Sequence, residues 1–266
     1  DATEWMLSQD VDVINMSLAQ TLDISKGDGT SEFYESALNA IDDAVESGIV
    51  WINAAGNEAT NMWYGTNYHD VDADGWIEIH HDEYLTNPVE QNCMSLSSGQ
   101  EIIVSMRWDD DWPSATTDLD IYISRIDSTS SSIVEGSDFI QNGGPNDYPS
   151  EIFLYEASSS GQYCLGIVDR TPDNPASWVQ VHVLGEDLDI YGHNLSYDSS
   201  YTIAPPSESF NPGMLAVGAT DWQSNTQIES FSSQGPTVDG RIKPDIVGVD
   251  DARSSIWGSW KGTSQS

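Results

Sequence analysis

The sequence predicts an α/β domain built on a parallel sheet and interrupted by an all-β insert. Three observations carry that prediction. Compact apolar runs bounded by small-residue turns stand near both ends of the chain, the pattern of strands buried on both faces. An amphipathic helical stretch connects the first two runs. Between residues 61 and 205 the texture changes to short segments of alternating apolar and polar residues separated by turn clusters, the mark of antiparallel strands. The predicted boundaries are 1–60 and 206–266 for the α/β part and 61–205 for the insert, a β-sandwich of jelly-roll type.

Residues 3–8 read as a short helix and residues 11–18 as the first buried strand. Thr30 or Ser31 can cap a helix in which Tyr34, Ala37, Leu38, Ile41, Ala44 and Val45 recur at spacings of three and four, and Gly48 ends it. Residues 49–52 form the next strand, which runs into the turn Ala54-Ala55-Gly56-Asn57. Strand, helix, strand is the crossover unit of a parallel sheet. In the insert, strands are predicted at 76–80, 101–106, 119–123, 152–155, 164–168 and 179–184. After Pro205 and Pro206 the buried type returns at 213–219 and 243–248.

Eight Lys and Arg against 44 Asp and Glu give a formal net charge of −36, which argues against nucleic acid or anionic membranes as partners. With 10 Trp and 11 Tyr the chain reads as folded, with a heavily solvated carboxylate surface. No apolar run reaches the ~18 residues of a membrane span. Cys93 and Cys164 fit no zinc spacing, and one disulfide between them is expected, which points to an oxidising, extracytoplasmic compartment.

The chemistry concentrates in Lys261-Gly262-Thr263-Ser264-Gln265-Ser266. A Gly-Thr-Ser turn feeding a helix presents a serine hydroxyl near the positive end of the helix dipole, and the small residues leave room for a substrate carbonyl. Two other stretches keep it company: Asn53-Ala54-Ala55-Gly56-Asn57-Glu58 and Phe231-Ser232-Ser233-Gln234-Gly235-Pro236.

In this order the motifs resemble those of the subtilisin-like serine peptidases, the subtilases. Asp12-Val13-Ile14-Asn15-Met16-Ser17-Leu18 is similar to their substrate-binding strand, and Ala54 to Glu58 to their oxyanion-hole turn. Residues 213–219, 231–236 and 241–245 match the run leading to the nucleophile, and Gly262-Thr263-Ser264 the nucleophile motif. The resemblance implies that Ser264 is the nucleophile and that Asn57 donates its amide to the oxyanion. It implies that Ser17, Leu18 and Ala19 pair with an extended peptide, that Ala54, Ala55 and Gly56 line the pocket before the cut, and that Thr263 belongs to the same substrate-binding set. It also implies a polypeptide substrate, no cofactor for the chemistry, a secreted protein and a monomer.

The departures are equally specific. The family's Asp and His precede the substrate strand, the His in a His-Gly-Thr setting, and this sequence has no such setting. His69, His80, His81, His182 and His193 all lie in the insert and read as surface or strand residues. A serine hydroxyl without an imidazole is a poor nucleophile at neutral pH, so the 266 residues are expected to be a piece of a longer product and inactive alone.

Asp118 to Ile123 and Gly161 to Leu165 loosely resemble the pre-peptidase C-terminal type of β-sandwich. Asp70-Val71-Asp72-Ala73-Asp74-Gly75 matches the first half of an EF-hand loop, with His81 in the place of the closing Glu. Asp70, Asp72 and Asp74 are therefore candidate ligands for structural calcium, against the reading of a solvated acidic turn. Two further functional readings stand beside the endopeptidase: a pseudopeptidase whose sandwich binds protein or glycan, and a sedolisin-like acid peptidase, whose oxyanion position resembles an Asp rather than Asn57.

Overall fold

The computed structural model describes residues 2–18, 25–33, 36–66, 70, 72–79, 89–128, 130–185, 188–191, 199–203, 205–224, 226–253, 255–256 and 258–266. The elements begin with α1 (Ala2–Ser8), β1 (Val13–Met16), α2 (Ala37–Glu46) and β2 (Val50–Ala54). There follow β3 (Met62–Gly65), β4 (Gln91–Leu96), β5 (Glu101–Trp108), β6 (Leu119–Asp127), β7 (Ser130–Ser137), β8 (Ser150–Glu156), β9 (Gly161–Asp169), β10 (Val179–Leu184) and β11 (Asp189–Tyr191). The chain closes with β12 (Met214–Asp221) and β13 (Ile246–Asp250). It divides into two compact units, 1–59 with 199–266, and 60–198.

The first unit is built on a parallel sheet of order β1-β2-β12-β13. Ile14, Trp51, Met214 and Ala216 share one face and pack with Ile41 and Ala44 of α2, with Met6, Leu7 and Val45 filling in around them. α2 starts at Ser36, whose hydroxyl accepts the Leu38 N–H at 3.1 Å. The predicted caps are spent elsewhere: Thr30 donates both its N–H and its hydroxyl to Asp28, and Ser31 accepts the Phe33 N–H. Tyr34 lies outside the described residues. Gly48, at φ +87, takes the left-handed stop that an L side chain resists.

The second unit is a pair of antiparallel sheets, of orders β3-β10-β5-β8 and β11-β4-β9-β6-β7. Inward residues of both, including Trp63, Met94, Trp108, Ile121, Phe153 and Leu165, form one apolar core. Cys93 and Cys164 are register partners on β4 and β9 and are disulfide-bonded. The strand predicted at 76–80 is not formed as such among the described residues: Trp76 makes an isolated bridge to Val168 and Ile77 donates to Ile167, while His80 falls outside the described residues. Among the described residues no helix is long and apolar enough to cross a membrane.

Candidate active site

The sheet of the first unit delivers its turns to one place. β2 runs into Ala54-Ala55-Gly56, all buried, where Ala55 donates to the Val217 carbonyl at 2.9 Å. Asn57 follows, exposed. The serine-rich run after β12 braces this turn. Ser233 donates its N–H to the Gly56 carbonyl at 3.0 Å and Ala59 donates to Phe231 at 3.2 Å. The Ser232 hydroxyl accepts the Ala219 N–H at 3.1 Å, so the run is also tied to β12.

Gly262-Thr263-Ser264 meets the same turn. Thr263, buried, donates its N–H at 2.9 Å and its hydroxyl at 3.0 Å to Asn57 Oδ1. The same hydroxyl accepts the Gly56 N–H at 3.2 Å. These bonds fix which end of the Asn57 amide is the oxygen, and Nδ2 has no acceptor among the described residues. Gly262 has φ +155, and a Cβ there would stand 3.3 Å from the Trp260 ring. That close approach and backbone angle explain why the motif begins with glycine. Gln265 donates back to the Gly262 carbonyl at 3.0 Å, which closes the turn around the half-buried Ser264.

The other predicted residues fall as follows. Ser17 and Leu18 continue β1 on the open edge of the sheet, Leu18 with 69% of its surface exposed. Ala19 lies outside the described residues, as do His69, His80, His81 and His193. His182 sits on β10 of the sandwich, where burial and the nearby Arg107 push its pKa down to about 3, so it is neutral.

Glu58, which closes the Ala54–Glu58 motif, is held by a serine of a distant segment. Its Oε2 accepts the Ser233 hydroxyl at 3.2 Å, and Ser233 Oγ accepts the Glu58 N–H at the same distance. Burial pushes the Glu58 carboxyl up, opposed by Ser233 and the backbone N–H groups of Asn57 and Glu58. The pairing spans distant chain positions, so no local pattern announces it.

In the second unit the carboxylates of Asp70, Asp72 and Glu78 converge, and so do those of Asp72, Asp74 and Glu90. Glu78 and Glu90 supply acidic oxygens that the linear loop pattern lacked. Part of this capacity is used by the turn itself: Asp70 accepts the N–H groups of Asp74 and Gly75 at 3.1 and 2.7 Å. Burial raises the Glu90 pKa, and Asp74, Asp72, Glu78 and Asp70 raise it further. Hard oxygen donors crowded in this way suit Ca²⁺.

Three comparisons bear on this geometry. No curated protein sequence matches the chain. Among solved structures it is similar to the CspB protease of Clostridium perfringens, with 15% identity and a TM-score of 0.61, over 98% of this chain and 55% of that one. The chain thus spans about half the length of that protein, and the likeness is one of fold. The profile of the subtilase family matches residues 1–132 and 185–266, most of the chain and both sides of the turn-to-turn contact described above. By that match the chain belongs to the subtilase family of serine peptidases.

Proposed function

We propose that these residues carry the nucleophile and oxyanion-hole half of a secreted serine endopeptidase. Ser264 Oγ attacks the scissile carbonyl, the carbonyl oxygen becomes an oxyanion held by Asn57 Nδ2, and collapse expels the amine to leave an acyl-Ser264. Water then releases the acid. The Ser264 proton passes to an imidazole base, which returns it to the nitrogen of the departing amine; the sequence has no His-Gly-Thr setting to supply that base, so the 266-residue chain alone is inactive. The observation that carries this reading is the pair of bonds from Thr263 to Asn57 Oδ1, which leaves Nδ2 as the donating end of an exposed amide next to the Gly262-Thr263-Ser264 turn.

The open edge at Ser17 and Leu18 is suited to pairing with an extended peptide backbone. The cross-strand disulfide supports an extracytoplasmic setting. The sandwich is then an inserted domain within the peptidase fold, stabilised by a cation at the Asp70–Asp74 turn, and the protein works as a monomer.

A fluorophosphonate probe tests the mechanism on the product of the complete gene. Labelling at neutral pH is expected in wild type and is abolished by Ser264→Ala. A wild type that stays unlabelled would favour the pseudopeptidase, which the missing His-Gly-Thr setting brings to mind. Calcium is tested separately, by melting temperature: millimolar Ca²⁺ is expected to raise it, and Asp72→Asn to remove the increment. An identical response in both proteins would leave the run a solvated turn.

A further inference from the structure

The last residue of β13 lies under the nucleophile turn. Asp250 is fully buried, with 0% of its surface exposed. Its two carboxylate oxygens have different fates: Oδ2 accepts the Gly262 N–H at 3.2 Å, and Oδ1 has no hydrogen-bond partner among the described residues. A buried carboxylate with half of its acceptor capacity unused is costly to keep. Burial pushes its pKa up, and Glu229 and Asp251 push in the same direction, against the Gly262 N–H and Lys261.

The contact it makes gives a reason. Gly262 is in a backbone region that side chains avoid, so the turn is chosen for shape. From Gly262 the bonding continues to Thr263 and on to Asn57 Oδ1. Two further ties join the same segments: Gln265 Nε2 donates to the Ala252 carbonyl at 2.9 Å, and Gly248 leaves room for Ser266. The end of β13 therefore grips the turn on both sides of Ser264.

We propose that Asp250 is a positioning residue for acyl transfer: its carboxylate fixes Gly262, and through that turn the Ser264 hydroxyl, relative to the Asn57 amide. This rests on the peptidase reading above. Asp250 touches no substrate, so its loss acts where attacking oxygen and oxyanion donor must be held together, in the transition state, and appears in kcat rather than KM.

The test is steady-state hydrolysis of a quenched peptide by the product of the complete gene. Asp250→Ala is expected to lower kcat by about tenfold or more, the effect of losing a hydrogen bond to a charged group, with KM within about twofold. Asp250→Asn keeps an acceptor for Gly262 and is expected to stay within about threefold of wild type. An unchanged kcat in Asp250→Ala, a loss confined to KM, or an Asn variant as impaired as the Ala one overturns the proposal. If Asp250→Ala does not fold, Asp250→Leu fills the space without an acceptor and takes its place. If wild type neither turns over peptide nor reacts with the fluorophosphonate, the peptidase reading has failed, and amide exchange of Gly262 still decides the positioning claim. Asp250→Ala must speed that exchange about tenfold relative to Asp250→Asn; equal rates sink the claim by themselves.

Discussion

At the scale of single residues the site depends on how one amide is oriented. Asn57→Ala is expected to lower kcat by about 10²- to 10³-fold with little change in KM; that magnitude is the one established for losing this donor in a member of the same family. Thr263→Val keeps the shape but removes the hydroxyl that serves both Asn57 and Gly56. It is expected to cost about 1–2 kcal/mol in stability and to lower kcat as Asn57 turns. Two buried groups in the sandwich give opposite pH dependences. Glu151, bonded to Ser137 and Gln141, has its pKa pushed by burial to about 7, so its protonated form stabilises the fold fully below the ordinary value of 4.5 and the benefit fades up to about pH 7. His182, neutral by burial, contributes above its ordinary 6.5 and loses that contribution as pH falls towards about 3. Urea midpoints should therefore vary little with pH where the two slopes overlap. Glu151→Gln is expected to leave stability rising with pH, and His182→Leu to leave it falling; matching profiles in both variants would show that neither group titrates as described. The meeting of the turns that hold Asn57 and Ser264 is legible in sequence because each turn is a short motif of small residues. Asp250 and the Glu58–Ser233 pair were not, since their meaning depends on partners in other segments.

At the scale of elements, the legible parts were those with an uninterrupted period. α2 buries a regular stripe and β2 and β12 are mostly buried, as their residue order indicates, whereas β1 buries Ile14 alone and β13 is largely exposed although both read as buried strands, because these two lie at the edges of the parallel sheet. β7 was missed because it is an edge strand whose first six residues are exposed, so its serine-rich sequence carries no apolar alternation. α2 starts later than the sequence predicts because the Thr30 hydroxyl bonds a local aspartate, and several Ser and Thr compete for the same cap. Ser36→Ala is expected to cost about 1 kcal/mol by chemical denaturation, and Thr30→Ala to leave the helix intact. The disulfide closes a loop between residues 71 positions apart. In the chain-entropy description its removal as Cys93→Ala with Cys164→Ala costs roughly 4 kcal/mol, read as a lower urea midpoint for the sandwich; an unchanged midpoint would assign the stability to the core alone.

At the scale of the whole molecule, charge and connectivity dominate. A net charge of −36 repels itself, so added salt is expected to raise the melting temperature of a variant without the Asp70–Asp74 carboxylates as well as that of the parent, which separates screening from specific cation binding. Residues 60–198 hold both antiparallel sheets and their shared core, and expressed alone they are expected to unfold in one cooperative transition. A molten or aggregating product would reject that boundary. The parallel sheet is in a different position, because β2 finds its inner neighbour, β12, only where Trp51 meets Met214. On the ribosome the early strands must wait while the whole sandwich is translated, and the sandwich has all its partners before the waiting sheet has its own. Biosynthesis thus acquires an order that the finished molecule hides, with residues 60–198 maturing ahead of the strands that precede them.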